Sequence, residues 1–235
     1  MTPRGPNVVT FAILPVKRFS AAKQRLADEL AAGTRRALAE AMLTDVLMAL
    51  RRTPAVQEVL LVTSEPAADA IGRGYGAHVL EDTQETGQSA AAMIGVAAAI
   101  EAGATRALLV PGDTPALDPA ELTALLGRPT AESSAIVVPD RHGTGTNALV
   151  LTPPDAIQPA FGPGSRALHE EAATVAGVPC TVEAMPTLAI DVDTLDDLAE
   201  LRALLAARRG GSAHTRGMLS RLAGRDGLFG ERPPP

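Results

Sequence analysis

Residues 107–117 read ALLVPGDTPAL, an apolar run that ends at a proline, a glycine and an aspartate. Four apolar residues followed by Pro111 and Gly112 are typical of a strand that is buried on both faces and stops at a tight loop. Asp113 therefore follows the carboxyl end of the predicted strand, the edge at which open parallel sheets bind ligands. The stretch predicts a parallel sheet and makes Asp113 the first candidate for a functional side chain.

Similar apolar runs along the chain predict the rest of the sheet, and helical patterns lie between them. The clearest helix covers residues 34–52, where every fourth residue from Leu38 to Leu50 is apolar. Alternation of strand and helix predicts right-handed crossovers in a mostly parallel, Rossmann-like α/β sheet. Strands are predicted over residues 8–14, 59–62, 107–110, 136–138 and 148–151, and further helices over residues 67–72, 89–102 and 166–176.

The length and composition predict one large domain. The chain has 235 residues, of which 46% are hydrophobic, enough for a full core. We place this domain at residues 1–207 and read residues 208–235 as a basic tail that is flexible or docks loosely through Met218, Leu219 and Leu222. Absence of a long apolar run or a signal peptide, together with the single Cys180, predicts a cytoplasmic protein without membrane partners.

The charge pattern argues against nucleic acid as a partner and points to a small anion. The net charge is -6 and only 2% of the residues are aromatic, which disfavours both phosphate-backbone binding and base stacking. The only two lysines, Lys17 and Lys23, lie with Arg18 and Arg25 in one loop after the first strand. Four cations in one loop repel each other unless an anion is present, and a triphosphate would supply it. The alternative is a solvated helix start.

Acidic residues predict a magnesium site. Mg²⁺ is commonly held by one or two carboxylates together with phosphate oxygens, and Asp113 offers one carboxylate. The second candidate is Asp191, which would face the same side of an extended segment as Asp193. Thr194 and Asp197 match a capping box, so Asp197 is read as a helix-start residue. For Asp191 the metal and turn interpretations both stay open.

Two glycine-rich loops add weaker signals. Residues 143–147 read GTGTN, and residues 162–165 read GPGS before a predicted helix. Backbone amides and hydroxyl groups in such loops can surround a phosphate or a carboxylate. Each loop taken alone is equally typical of a surface turn, and the four histidines have no zinc-binding spacing.

Six segments in order carry a resemblance to a known family. They are PVKRFSAAKQRL, AMLTDVL, VPGDTPAL, RHGTGTNAL, FGPGS and IDVDTLDDL. Together they resemble the guanylyltransferases of deazaflavin coenzyme (factor 420) biosynthesis, a family that includes 2-phospho-L-lactate guanylyltransferase and its phosphoenolpyruvate-using relatives. The resemblance covers about residues 8–204 and implies a nucleotidyltransferase fold of the glycosyltransferase-A-like kind.

The resemblance also implies roles for individual residues. Lys17, Lys23 and Asp113 would be catalytic, and Asp113 and Asp191 would bind Mg²⁺. Thr146, Gly162 and Ser165 would contact a phosphorylated three-carbon acid. The residues implied to bind GTP are Leu14, Pro15, Lys17, Lys23, Arg25, Gly87, Gln88 and Ser89. The last three depart from the family, whose members tend to have a Leu-Asn pair at this point.

The implied reaction transfers GMP from GTP to the phosphate of the acid, with phosphoenolpyruvate favoured over 2-phospho-L-lactate, and releases pyrophosphate. The alternatives are a molybdopterin or sugar-phosphate nucleotidyltransferase, a more distant retaining glycosyltransferase, and a non-catalytic nucleotide-binding module. The expected partners are small molecules only. The sequence leaves the oligomeric state open, with a homodimer as one option.

Overall fold

The computed structural model of the chain describes residues 8–21, 23–129 and 131–226. Their centre is one seven-stranded sheet. Its strands are β1 (Thr10–Val16), β2 (Glu58–Thr63), β3 (His78–Glu81), β4 (Arg106–Leu109), β5 (Ser134–Pro139), β6 (Thr146–Thr152) and β7 (Cys180–Val182). The five strands predicted from apolar runs are β1, β2, β4, β5 and β6, with ends shifted by a few residues.

The strand order is β3-β2-β1-β4-β6-β5-β7. Strands β1 to β4 pair in parallel, whereas β6 is antiparallel to both β4 and β5. The prediction of a mostly parallel α/β sheet is confirmed. The reversal of β6 follows from its short connection to β5, because a loop of a few residues can join antiparallel strands but not parallel ones.

The helices are α1 (Ala32–Arg51), α2 (Pro66–Gly74), α3 (Gln88–Glu101), α4 (Pro119–Leu126), α5 (Ser165–Ala176), α6 (Leu195–Ala207) and α7 (Ala213–Asp226). Helices α1, α2 and α4 cover one face of the sheet, and α3 and α5 cover the other. Helix α4 has a clear sequence signal that the periodicity did not reveal, since the carboxylate of Asp118 caps its N-terminus and Pro119 follows at the first helical position.

Helix α3 packs very close to the sheet because its inner face carries small residues. A Cβ atom added at Gly95 would lie 2.3 Å from the Ile13 side chain of β1. Ala92 and Ala99, on the same buried side of the helix, have no exposed surface. The alanine-rich sequence of α3 is therefore a packing feature that brings the helix against β1 and β2.

The C-terminal helix α7 packs on α1 and α6. Met218, Leu219 and Leu222 are buried in a third apolar cluster with residues of these helices. The buried carboxylate of Asp45 in α1 accepts hydrogen bonds from the backbone N–H groups of His214 and Thr215. Of the two expectations for the tail, docking through the three apolar residues describes residues 213–226, and residues 227–235 lie outside the described part of the chain. The boundary after residue 207 stays a prediction.

Among the described residues, no helix combines the length and the apolar character needed to cross a membrane.

Candidate active site

A cleft lies at the carboxyl ends of β1 and β4, which are neighbours in the sheet although β2 and β3 separate them in the chain. The strand order reverses at this point, and open α/β sheets bind their ligands at such a reversal. The cavity has a volume of about 1050 Å³. Pockets for a single small molecule occupy roughly 300–1,000 Å³, so the cleft is large enough for more than one.

The loop after β1 brings four positive charges to the cleft. Lys17, Arg18 and Arg25 are exposed there, while Lys23 is buried. Arg18 pairs with Glu85 from the loop between β3 and α3 at 2.7 Å, and this pair spans one side of the cleft. The predicted grouping of cations in one loop is therefore present, with Lys23 set apart from the other three by its burial.

Lys23 is held between two carboxylates. Its Nζ bonds to the carboxylate of Asp113, and it lies 3.3 Å from Oδ1 of Asp193. Burial alone would lower the pKa of Lys23, but the charges and hydrogen bonds of Asp113 and Asp193 outweigh it and raise the pKa. The ammonium group is therefore charged, and it joins the loop after β1 to both acidic segments.

Asp191 lies in the same cleft with a different set of neighbours. Its Oδ1 accepts a hydrogen bond of 3.1 Å from Nδ2 of Asn147, which also donates to the carbonyl oxygen of Leu188 at 2.8 Å. Burial and the negative charge of Asp113 raise the pKa of Asp191. The sequence indicates Asn147 only as part of a turn, and spacing does not reveal its contact with an aspartate 44 residues away.

The donor set suits a cation that is shared with a substrate. Within residues 8–21, 23–129 and 131–226, no group of three or more His, Cys, Asp or Glu side chains could hold a metal ion. Asp113 and Asp191 nevertheless repel each other, as the raised pKa of Asp191 indicates, and a divalent cation would relieve that repulsion. Two carboxylates that need phosphate oxygens to complete the coordination are the usual environment of Mg²⁺.

The three residues predicted to contact the acid all line the cleft. Thr146 begins β6, Ser165 begins α5, and Gly162 lies in the loop before α5. Gly162 has a φ of 130°, which side-chain-bearing residues rarely adopt. The backbone N–H of Ser165 donates to the carbonyl oxygen of Gly162 at 3.1 Å, so this amide is already used within the loop.

His169 is a site residue that sequence reasoning missed. It is fully buried and lies 3.0 Å from Oγ1 of Thr146 through its Nδ1. Its Nε2 accepts a hydrogen bond of 2.8 Å from the backbone N–H of Ala160. The available signal was its position four residues after Ser165, which puts both side chains on one face of α5.

The segments predicted to contact the nucleotide lie partly in the cleft. Pro15, Gly87 and Gln88 line it, at the ends of β1 and the start of α3. Leu14 does not line the cleft, because its side chain is fully buried in the core between the sheet and α1. The assignment of these residues to a nucleotide stays a prediction.

Ser89 does not line the cleft either. Its Oγ accepts a hydrogen bond of 2.9 Å from the backbone N–H of Phe161. The hydroxyl group therefore joins α3 to the loop before α5.

The prediction for the start of α6 is confirmed. Thr194 and Asp197 form a reciprocal capping box, and Asp197 also pairs with Arg141 at 2.8 Å. The capping box and the ion pair fix the backbone that follows Asp193. Asp197 therefore has a structural role, unlike the acidic residues that face Lys23.

Comparison with solved structures places this fold among nucleotidyltransferases. The chain is similar to a nucleotidyl transferase from Methanothermobacter, with a TM-score of 0.64, 17% identity and coverage of 86% of this chain and 100% of that one. It is also similar to a Mycobacterium tuberculosis protein solved in complex with manganese, with a TM-score of 0.50, 19% identity and coverage of 83% and 97%. Both similarities concern the fold, which the chain shares with a nucleotidyl transferase.

The particular family follows from sequence comparison. The model of the family described as "Guanylyl transferase CofC like" matches residues 10–223, and the chain belongs to this family. The chain is also 58% identical over 214 residues to a phosphoenolpyruvate guanylyltransferase from Conexibacter woesei, with coverage of 91% of this chain and 96% of that protein. The resemblance inferred from the six segments is confirmed, and the chain is an enzyme with a small-molecule nucleotide as substrate.

Proposed function

We propose that this chain transfers the GMP group of GTP to the phosphate of phosphoenolpyruvate and releases pyrophosphate, as a step of deazaflavin coenzyme biosynthesis. The observation that carries the proposal is a single cleft lined by the cationic loop after β1, by the acidic residues, and by the three residues of the acceptor side. The choice of acceptor is supported by the activity named for the Conexibacter relative.

The chemistry is an in-line displacement at phosphorus. A phosphate oxygen of the acceptor forms a bond to the α-phosphorus of GTP, and the bond from that phosphorus to the oxygen leading to the β-phosphate breaks. The electron pair leaves with pyrophosphate. Because the attacking phosphate is already ionised near neutral pH, no general base is required, and catalysis depends on positioning and on neutralising charge.

The cleft residues can supply both the positioning and the charge neutralisation that this reaction needs. Lys23 offers a buried charge at the centre, and the exposed Lys17 and Arg25 offer charges for the outer phosphates of GTP. Asp113 and Asp191 would hold Mg²⁺, which supplies further charge neutralisation at the phosphates when it is bound. A divalent metal is in keeping with the manganese complex of the M. tuberculosis protein, and we expect magnesium to serve in the cell.

Family membership favours guanylyl transfer over the molybdopterin and sugar-phosphate alternatives and over a non-catalytic binding module. We expect small molecules as the partners and the cytoplasm as the compartment, because GTP and phosphorylated acids are available there.

The experiment is a pyrophosphate-release assay with purified protein, GTP and Mg²⁺. Phosphoenolpyruvate, 2-phospho-L-lactate and 3-phosphoglycerate are added one at a time, and ATP and CTP replace GTP in control reactions. We expect release with GTP and phosphoenolpyruvate, and a new phosphoanhydride product in the ³¹P NMR spectrum. Binding of GTP without release in the presence of any of the three acids would overturn the proposal.

A further inference from the structure

His169 lies between two groups whose hydrogen-bonding roles differ. On one side of the ring, Nε2 lies 2.8 Å from the backbone nitrogen of Ala160. On the other side, Nδ1 lies 3.0 Å from the hydroxyl oxygen of Thr146. A backbone N–H can only donate, so Nε2 must be unprotonated. In a neutral imidazole the proton then resides on Nδ1. Burial lowers the pKa of His169 to about 4, which keeps the ring neutral under ordinary conditions.

The tautomer determines which way the Thr146 hydroxyl points its proton. Nδ1–H donates to Oγ1 of Thr146, and this bond occupies a lone pair of the hydroxyl oxygen. The hydroxyl proton is left to donate elsewhere, and Thr146 lines the cleft. The opposite tautomer would make the hydroxyl donate to the ring and present only lone pairs to the cleft, which would repel an anion.

We infer that His169 is a positioning residue that fixes Thr146 as a hydrogen-bond donor to an anionic oxygen of the acceptor acid. The inference rests on the proposed function, since it takes the acceptor to bind at Thr146. Carboxylate and phosphate oxygens accept but do not donate, and a hydrogen bond to a charged group is among the stronger ones in proteins.

The same imidazole also fixes the loop before α5. Its bond to Ala160 and its edge-to-face contact with Phe161, with ring centroids 5.3 Å apart, hold the backbone that leads into Gly162. Ser165 then begins the helix that carries His169. One buried ring thus sets the relative positions of all three residues predicted to contact the acceptor.

Two substitutions separate the two bonds. The side-chain amide of asparagine lies close to where Nδ1 stands, so His169→Asn retains a donor for Thr146 and loses the bond to Ala160. The longer glutamine reaches the position of Nε2, so His169→Gln retains an acceptor for Ala160 and loses the donor for Thr146. His78→Gln, at an exposed histidine of β3, is the control.

The steady-state kinetics of pyrophosphate release test the inference. We expect His169→Gln to raise the KM for phosphoenolpyruvate by about tenfold or more, with the KM for GTP within about twofold, as loss of a hydrogen bond to a charged group implies. His169→Asn should raise the KM for phosphoenolpyruvate by less than about threefold. In a Thr146→Val background, His169→Gln should have little further effect on this KM. Equal increases in both KM values for both variants would assign His169 a purely structural role.

A measurement without turnover keeps the inference separate from the proposed function. In ¹⁵N-histidine-labelled protein, two-dimensional NMR distinguishes the two neutral tautomers, and the His169 signals are those lost in His169→Gln. We expect a proton on Nδ1, and a proton on Nε2 overturns the inference whatever the activity. If the wild type transfers GMP but Thr146→Val has a normal KM for the acceptor, the inference fails and the proposed function stands. If the wild type is inactive with all three acids, the proposed function fails.

Discussion

The ammonium group of Lys23 lies against the carboxylate of Asp113, although 90 positions separate them in the chain. The lysine side chain is 4% exposed and the aspartate side chain 30% exposed, so the cation is the more deeply buried partner. Lys23 also has a φ of 56°, in the left-handed region that residues other than glycine rarely occupy. Backbone strain of this kind persists where the surroundings fix it, and it is common at functional sites.

Lys23→Met should lower kcat/KM for pyrophosphate release by at least about 100-fold, roughly 3 kcal/mol, because a preorganised charge near the transferred phosphate is lost. Lys23→Arg should restore little of this loss in kcat/KM, since the planar guanidinium group is larger than the almost fully buried ammonium group that it replaces. Steady-state assays measure the loss, and Arg36→Met, at an exposed helical ion pair, is the control. A rate within fivefold of wild type for Lys23→Met removes this charge from catalysis.

Asp191→Asn should abolish turnover without weakening the fold. Asparagine can still accept the bond from Asn147, but a neutral amide binds a divalent cation poorly. A carboxyl group whose pKa is raised on folding destabilises the folded state when it is ionised, so removing its charge should leave the Tm at pH 7 equal or higher. Asp69→Asn, on the surface of α2, is the control for the Tm. Near-normal turnover would remove Asp191 from the metal site.

The sequence was sufficient to predict that the cationic loop and Asp113 lie at the same edge of the sheet, although the contact between Lys23 and Asp113 was not predicted. Each follows an apolar run that reads as a buried strand, and the carboxyl ends of parallel strands share one edge of the sheet. The apolar pattern and the parallel direction of the strands therefore predict that the cationic loop and the first acidic residue lie close together. The same logic accounts for the correct prediction of α1, α3 and α5.

The contacts that orient the site could not be predicted in the same way. The bonds of Asn147 to Asp191 and of His169 to Thr146 join polar groups from different elements, and such pairs leave no periodic signal in a single sequence. The N-terminus of α7 is capped by a buried carboxylate of a different helix, that of Asp45 in α1. These contacts depend on the assembled packing, whereas the strands and helices depend on local pattern.

Gly95→Ala should destabilise the protein by about 1–3 kcal/mol, because the new methyl group would overlap the Ile13 side chain in a tightly packed core. Gly74→Ala is the matched control, since nothing lies within 4 Å of the added atom in α2, and helix propensity predicts a gain of about 0.5 kcal/mol or more. Urea denaturation of both variants gives the comparison. Equal stabilities would mean that α3 can move away from β1 at little cost.

Asp45→Ala should weaken the attachment of α7 by about 1–2 kcal/mol, the usual effect of removing a helix N-cap. The carboxylate accepts bonds of 3.2 Å from His214 and 2.7 Å from Thr215, and both backbone donors would lose their partner. Hydrogen exchange of the α7 amides should accelerate, while pyrophosphate release stays within about twofold, because α7 does not line the cleft. Asp28→Ala, at an exposed position, is the control. Unchanged exchange in α7 would show that its apolar contacts alone hold it.

Acid should weaken the fold through His169. Its pKa is about 4 in the folded protein and about 6.5 in an unfolded chain, so below pH 6.5 the unfolded state binds the additional proton. Stability from this residue is therefore fully present above pH 6.5 and is lost as the pH falls toward 4, by about 3 kcal/mol in all. Glutamine does not titrate, so the stability difference between wild type and His169→Gln should narrow over that interval, as urea denaturation at several pH values can measure. The pKa values of Asp118 and Asp197 are lowered, so these carboxyl groups affect the free energy of unfolding only at lower pH. Their stabilising contribution is lost as the pH falls below the ordinary pKa of a carboxyl group. His78→Gln, at an exposed histidine, is the matched control for the substitution itself. If the free energies of unfolding of wild type and His169→Gln change in parallel between pH 7 and 4.5, burial does not hold His169 neutral.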